Sequence, residues 1–272
     1  MNGYLADSHT HLDQFDPSEI PGILGGAIDA GVNLIIAAGV TEESSRKCIE
    51  IANSHDSVFA GIGIHPMDIK EPMDLGSYNR FKSMAAANTK VVCISEVGLD
   101  FSLGMPNLSL QIQVLRKQIR LARELALPVI FHSREHTGRI IDHHKTLAVL
   151  REEKIQEVGG AMHYFQWDET VAQACFDLDL LVSIGKPLLR LPQLQETVKS
   201  IPLDHIVLET DSYPQYFKRN RSRWTEPKDV KAIAMKIAEL KGLTLDTVAK
   251  ATTKNLVSLL KNQVKNNNGR IK

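Results

Sequence analysis

The chain has 272 residues, 43% of them hydrophobic, enough for two average domains or for one α/β barrel, which typically needs ~250 residues. Its 32 basic and 32 acidic side chains cancel, so global charge gives no support for nucleic-acid binding, and such a reading must rest on a local patch. Cys48, Cys93 and Cys175 fit neither a disulfide framework nor a zinc ribbon, the opening segment with Asp7 and two histidines is unlike a signal peptide, and no apolar run reaches the ~18 residues of a membrane span; a reduced, soluble, cytoplasmic protein is expected.

The first apolar run ends in Asp7-Ser8-His9-Thr10-His11. Alternate side chains of an extended backbone share a face, so His9 and His11 leave the strand side by side. A helix is predicted over 17–30, stopped by Gly31, then a strand over 32–38. Thr41, Ser44 and Ser45 open a helix to about 55, and strand 3, 58–64, ends at His65-Pro66. A helix over 75–87 leads to strand 4, 91–95, which ends in Glu96-Val97-Gly98-Leu99-Asp100. Asn107 can cap a helix over 109–125; strand 5, 127–131, ends at His132-Ser133-Arg134, and a helix follows over 137–153. A weak strand 6, 159–162, ends at His163, ahead of a helix over 169–177. Strand 7 covers 180–184, a short helix 192–200, and strand 8, 205–208, ends at Glu209-Thr210-Asp211. Two helices, 226–241 and 245–261, close the chain.

Continuous apolar strands alternating with helices suit parallel strands buried on both faces. Right-handed crossovers then build a closed barrel or a doubly wound sheet. The Rossmann-type alternative lacks a Gly-x-Gly-x-x-Gly turn after strand 1. The expectation is an α/β fold, a TIM-like (β/α)8 barrel with an extra C-terminal helix. No linker divides the chain, which predicts one barrel domain over 1–262 and a polar, frayed tail over 263–272. Polar residues fall at the strand ends: His9 and His11 on strand 1, Glu96 on strand 4, His132 on strand 5, His163 on strand 6 and Asp211 on strand 8. A barrel brings those ends to one rim, where barrel active sites are built. Each residue alone is more often a hydrogen-bonded rim residue than a ligand; together they read as a metal site.

The motifs Asp7-Ser8-His9-Thr10-His11-Leu12-Asp13, Gly63-Ile64-His65-Pro66, Glu96-Val97-Gly98-Leu99-Asp100, Leu127-Pro128-Val129-Ile130-Phe131-His132-Ser133-Arg134 and Leu208-Glu209-Thr210-Asp211 occur in this order across nearly the whole chain. In them the sequence resembles the TatD-type metal-dependent DNases, a branch of the amidohydrolase-like barrels. The resemblance implies a TIM-like barrel, two divalent metal ions and hydrolysis of phosphodiesters in DNA; a narrow barrel mouth would favour single strands or ends. It implies His9, His11 and Asp211 on one metal, His132 and His163 on the other, and Glu96 as the bridge where many amidohydrolase relatives use a modified lysine. Four histidines suit Zn²⁺, Mn²⁺, Fe²⁺ or Ni²⁺ better than Mg²⁺, although the family's nuclease activity is associated with Mg²⁺.

Several roles stay open at this stage. Catalysis is expected from Glu96 and Asp211, the latter as general base or as ligand only. Substrate binding is expected from Arg134 and His65. Arg134 clamps a phosphate or pairs with Glu135; His65 donates to substrate phosphate or orients a ligand. Asp100 is expected to hold a ligand histidine or a loop, and His136, His143 and His144 to face solvent. The sequence departs from the family pattern twice. His163-Tyr164-Phe165-Gln166-Trp167 replaces the usual Cys-Phe-Ser/Thr-Gly continuation, and Ser212-Tyr213-Pro214 replaces Ala-Pro-Tyr. Lys218 to Trp224 then holds four cations and a tryptophan, read as a phosphate grip with a stacking ring or as a solvated loop. The leading function is a metal-dependent deoxyribonuclease with no membrane or obligate protein partner. The alternatives are a metallohydrolase of the same fold acting on another ester or amide, small-molecule or aminoacyl-nucleotide, and a non-enzymatic binding protein.

Overall fold

A computed structural model describes residues 4–136 and 141–260; the polar tail lies outside them. The strands are β1 (Leu5–Thr10), β2 (Val32–Ala38), β3 (Val58–Ile62), β4 (Val91–Asp100), β5 (Val129–Arg134), β6 (Gly160–Met162), β7 (Leu180–Ile184) and β8 (Ile206–Leu208). All pair in parallel with their sequence neighbours in one eight-stranded sheet. Between them run α1 (Ile20–Asp29), α2 (Glu42–Ser54), α3 (Leu75–Ala87), α4 (Leu108–Leu125), α5 (Ile141–Glu152), α6 (Glu169–Phe176) and α7 (Pro192–Ser200), followed by α8 (Val230–Lys241) and α9 (Leu245–Leu259). The fold is the expected (β/α)8 barrel with an extra C-terminal helix. Among the described residues no helix is long and apolar enough to cross a membrane.

Local chemistry explains the helix ends. Thr41 Oγ1 accepts from the Ser44 N–H at 3.1 Å in a capping box at α2, and the Asn107 side chain accepts from the Ser109 N–H at 2.8 Å at α4. Two helices start later than the sequence suggests. Asp16 Oδ1 accepts the Ser18 N–H in a local turn, so α1 begins at Ile20 and not at 17. Before α8, Pro227–Asp229 forms a 3-10 turn, so the helix begins at Val230 and not at 226.

The seam between β1 and β8 closes only at the rim. His11 N–H donates to Ser212 O at 2.8 Å and Asp211 N–H to His9 O at 3.0 Å, with a parallel bridge between Thr10 and Ser212. The buried Asp7 carboxylate accepts from the Thr210 amide at 3.0 Å and the Thr210 hydroxyl at 2.5 Å. Burial pushes the Asp7 carboxyl well above the usual carboxylate range, against these hydrogen bonds.

The barrel interior is layered along its axis. Ala6, Leu34, Ile36, Phe59, Val92, Ile130, Ala161 and Val207 form an apolar layer with Leu256, Leu259 and Leu260 at the end of α9. Thr253 Oγ1 donates to Tyr4 O, and the Asn255 side-chain amide to Leu203 O and Ile206 O, fixing α9 under the starts of β1 and β8. The extra helix therefore stoppers the end of the barrel opposite the rim. One step up, Ser8 and Ser183 share a 2.8 Å hydrogen bond. Two residues beyond the apolar layer the same alternation delivers His132 after Ile130, His163 after Ala161 and Glu209 after Val207.

Leu256→Ala should lower the unfolding free energy by ~2–5 kcal/mol. Urea denaturation checks the loss, and turnover per folded molecule at low temperature should be unchanged, because the stopper lies at the opposite end from the rim.

Candidate metal centre

Five imidazoles converge on one carboxylate. Glu96, only 4% exposed, places Oε2 at 3.4 Å from His9 Nε2 and 3.6 Å from His11 Nε2. Its Oε1 lies 3.1 Å from His132 Nδ1, 3.4 Å from His65 Nε2 and 3.6 Å from His163 Nε2. Asp211 Oδ1 is 3.3 Å from His11 Nε2 and 3.9 Å from His163 Nε2. All six residues expected to ligate metal thus lie together, and Glu96 turns one oxygen to each half of the cluster. The donor atoms form three groups, each within 4.8 Å: His9, His11, Asp211; His9, Glu96, His163; and His65, Glu96, His132. His132 and His163 are not in one group, and they approach a common point only through Glu96 Oε1.

The outer nitrogen of each ring decides what the inner one offers. His11 Nδ1–H donates to Ala38 O at 3.2 Å, His163 Nδ1–H to Glu209 Oε2 at 3.0 Å, and His132 Nε2–H to Asp100 Oδ2 at 3.1 Å. When the inner nitrogen is free of its proton, each of these rings presents a lone pair inward, the arrangement a metal-binding histidine needs. His65 is the reverse: its Nδ1 accepts the Met67 N–H at 3.1 Å, so the neutral ring carries its proton on Nε2 and points a donor at the cavity. Its tautomer suits a hydrogen bond to an anionic oxygen, not a coordinate bond. His9 is fully buried, and among the described residues neither of its ring nitrogens has a hydrogen-bond partner. A buried polar atom left unpaired costs ~1–3 kcal/mol, and a cation beside Nε2 would remove that cost. The donor set and this orphaned ring fit a divalent metal.

Electrostatics agrees. Burial alone would raise the Glu96 pKa, but the surrounding imidazoles, His65 and His163 first and then His132, hold it well below the usual range. Burial likewise opposes ionisation of Asp211, yet His11 and His163 bring it down to about 2. Burial works against protonation of His11 and His132; Asp211 and Asp100 respectively, each with Glu96, outweigh it and raise both to about 9. His9 and His163 go the other way, lowered chiefly by burial.

Two contributors escaped the sequence reading. Glu209, completely buried, accepts from His163 Nδ1–H and, through Oε1, from the Tyr164 N–H at 2.9 Å. Burial pushes its pKa up to about 8. Its position two residues after Val207 was the available signal, since that puts it on the interior face. Gly98 is the second. A Cβ there would lie 1.9 Å from His132 O, and its φ is +152°, so only glycine lets β4 approach β5 beside His132. Asp100 holds His132, one of the two roles expected for it. Tyr164 takes φ +52°, and Phe165 behind it is buried, so the altered sixth loop turns without its glycine.

The mouth is a cavity of about 560 Å³ lined by His65, Arg134, Tyr164, Trp167 and Tyr213 along with the cluster. Arg134 is exposed there and makes no ion pair among the described residues, including none to Glu135. The Lys218 to Trp224 stretch is neither of its expected alternatives as a whole. Trp224 is 8% exposed and packs between Phe15 and Arg221, so it is core and not a stacking platform. Arg221 pairs with Glu19 and Glu226 at 2.7 and 2.6 Å. Arg219 and Arg223 remain at the surface.

The sequence profile of the TatD related DNase family matches residues 6–261. The uncharacterized metal-dependent hydrolase YabD of Bacillus subtilis is 33% identical over 264 residues, covering 94% of this chain and 99% of the relative. Deoxyribonuclease TATDN3 of Homo sapiens is 31% identical over 268 residues, 94% of each chain. The crystal structure of YjjV, a TatD homologue from Escherichia coli K12, superposes with a TM-score of 0.81 at 24% identity, covering 95% of this chain and 98% of its own, a likeness of fold.

His143 corrects an expectation. It does not face solvent: it is 1% exposed, its Nδ1 lies 2.9 Å from Ser133 Oγ, and its ring packs 4.1 Å from that of Trp167. The helical face carrying it turns inward because Asp142 and Thr146 sit on the same buried side, while His144 is exposed as expected. Burial lowers the His143 pKa to about 4. Its folded value lies below its unfolded value of ~6.5, so its contribution is complete above that pH and is lost as pH falls toward 4. The stability difference between the wild type and His143→Gln should shrink by up to ~3 kcal/mol between pH 7 and pH 4. Denaturant titrations across that range measure it, and a constant difference refutes the assignment.

Proposed function

The chain belongs to the TatD family of metal-dependent hydrolases, and on that premise we propose that its rim cluster is a dinuclear centre hydrolysing phosphodiester bonds in single-stranded DNA or DNA ends. The observation that carries this reading is the division of Glu96, with Oε2 toward His9 and His11 and Oε1 toward His132 and His163. One cation would be held by His9, His11 and Asp211, the other by His132 and His163, with Glu96 shared. The name of the human relative, 31% identical, supports DNA as substrate. When bound, the cations withdraw charge from the phosphoryl group and make water nucleophilic at neutral pH.

The chain's own residues supply position and proton transfer. The Asp211 side chain is 19% exposed against 5% for Glu96, so Asp211 is the carboxylate a water in the cavity can reach. Held ionised by His11, it accepts the proton of the attacking water. His65 Nε2–H and the Arg134 guanidinium face the same cavity and hold the nonbridging oxygens of the scissile phosphate. Glu209 and Asp100 keep His163 and His132 in the tautomers that leave their inner nitrogens bare.

Incubating the protein with labelled single-stranded DNA and Mg²⁺ or Mn²⁺ should give cleavage that a chelator abolishes. No cleavage, with metal-dependent turnover of a generic ester, would favour the same-fold hydrolase acting on another ester or amide. Asp211→Asn should lower kcat by ~10²–10⁴ while weakening metal binding far less; near-normal turnover would sink the base assignment. Glu209→Gln should weaken metal affinity by ~10–100-fold, read by calorimetric titration.

A further inference from the structure

Beside the metal centre a second cavity, of about 400 Å³, opens between the loop after β7 and the segment after β8. It shares Tyr164, Asp211 and Tyr213 with the first, so the two cavities are neighbours with these three side chains between them. Its wall carries Lys186, Arg190 and Lys218. Lys186 is neutralised by Asp229 at 3.0 Å. Lys218 is not: its Nζ meets only the neutral oxygens of Gln215 and Arg223. Burial first, and then the like charges of Lys186 and Arg223, lower the Lys218 pKa. Arg190 is exposed and has no side-chain partner among the described residues. Arg190 and Lys218 thus stand in the cavity wall without a salt-bridge partner among the described residues, with the Asp211 carboxylate at the edge shared with the metal centre.

An aromatic ring stands at the same wall. Phe217 lines the cavity and is 72% exposed, with Lys218 Nζ 5.8 Å from its ring centroid. Hydration of so much apolar ring is unfavourable, and the core beneath this segment has taken Trp224 instead. An exposed ring sharing a cavity wall with two cations, next to the proposed phosphodiester site, has the composition of a single-strand binding track: π-faces for bases, cations for the backbone.

We propose that this second cavity is a nucleotide subsite, in which the nucleotide next to the scissile phosphate stacks its base on Phe217 and sets its following phosphate against Arg190 and Lys218. The assignment rests on the phosphodiesterase reading above and deepens it. A base must be unpaired to stack there, and a substrate must carry a second phosphate to use the cations. Single-stranded oligonucleotides are thereby selected over duplexes and over small diesters.

Phe217→Ala, Arg190→Ala and the double variant test this on surface side chains. Binding of a fluorescent oligodeoxythymidylate is followed by anisotropy in the presence of chelator, and kcat and KM are measured with metal for the same oligonucleotide and for bis(p-nitrophenyl) phosphate. Each single variant should bind the oligonucleotide about tenfold more weakly. The double variant should raise its KM further and leave turnover of the small diester unchanged. Unchanged oligonucleotide binding in the double variant overturns the subsite, as does equal loss on both substrates or no binding by the wild type. Wild-type binding that depends on Phe217 without any DNA cleavage keeps the subsite and removes the phosphodiesterase reading. Cleavage by the wild type that the double variant matches does the reverse.

Discussion

Everything at the rim answers to the burial of one negative charge. A carboxylate as enclosed as Glu96 is costly unless its field is met on all sides. Five imidazole nitrogens, from β1, β5 and the ends of β3 and β6, lie 3.1–3.6 Å from its oxygens. None of these rings is placed by Glu96 alone. Backbone carbonyls, backbone amides and the acids Asp100 and Glu209 hold the outer nitrogens of four of them. The fifth, His9, is held only by packing, stacked 3.7 Å from His163. Protons on His11 and His132 meet part of the charge, and a cation binding to those rings would displace them.

Much of this was legible in the chain. Period-two alternation carries Ile130 into His132 and Ala161 into His163, so an apolar strand announces both its interior face and the residue that emerges at its end. The (β/α)8 order and the six clustered side chains follow from that rule applied strand by strand. What it cannot reach are partners distant in sequence. Glu209 acts on His163 from 46 residues away, and Asp7 on Thr210 from 203. The direction of the His65 ring depends on a backbone amide two residues on, which composition does not reveal. His143 and Trp224 are hidden for a related reason: polar neighbours in the sequence mask a buried helix face and a loop's core residue.

Stability and chemistry occupy opposite ends of the barrel. Below, α9 seals the interior with leucines against Phe59 and Ile36. Above, the interior is carboxylate and imidazole. The serine pair Ser8 and Ser183 lies between, small enough to let the strands close and polar enough to meet the rim. Substitutions in the rim loops, including the bulky 164–167 turn and the 212–224 segment, therefore alter the mouth without disturbing the apolar layer. Such loops are where relatives sharing one rim cluster acquire different substrates.

The seam has a further meaning for how the molecule is made. β1 carries His9 and His11, yet its rim partners are Asp211 and Ser212, and the strand starts at that seam are tied together by Thr253 and Asn255. A ribosome delivers His9 and His11 about two hundred residues ahead of Asp211. Until β8 and α9 have emerged, the two histidines have neither Asp211 nor a closed wall beside them. The centre is therefore complete only once β8 has joined β1, so the closing of the barrel seam and the assembly of the cluster are one event.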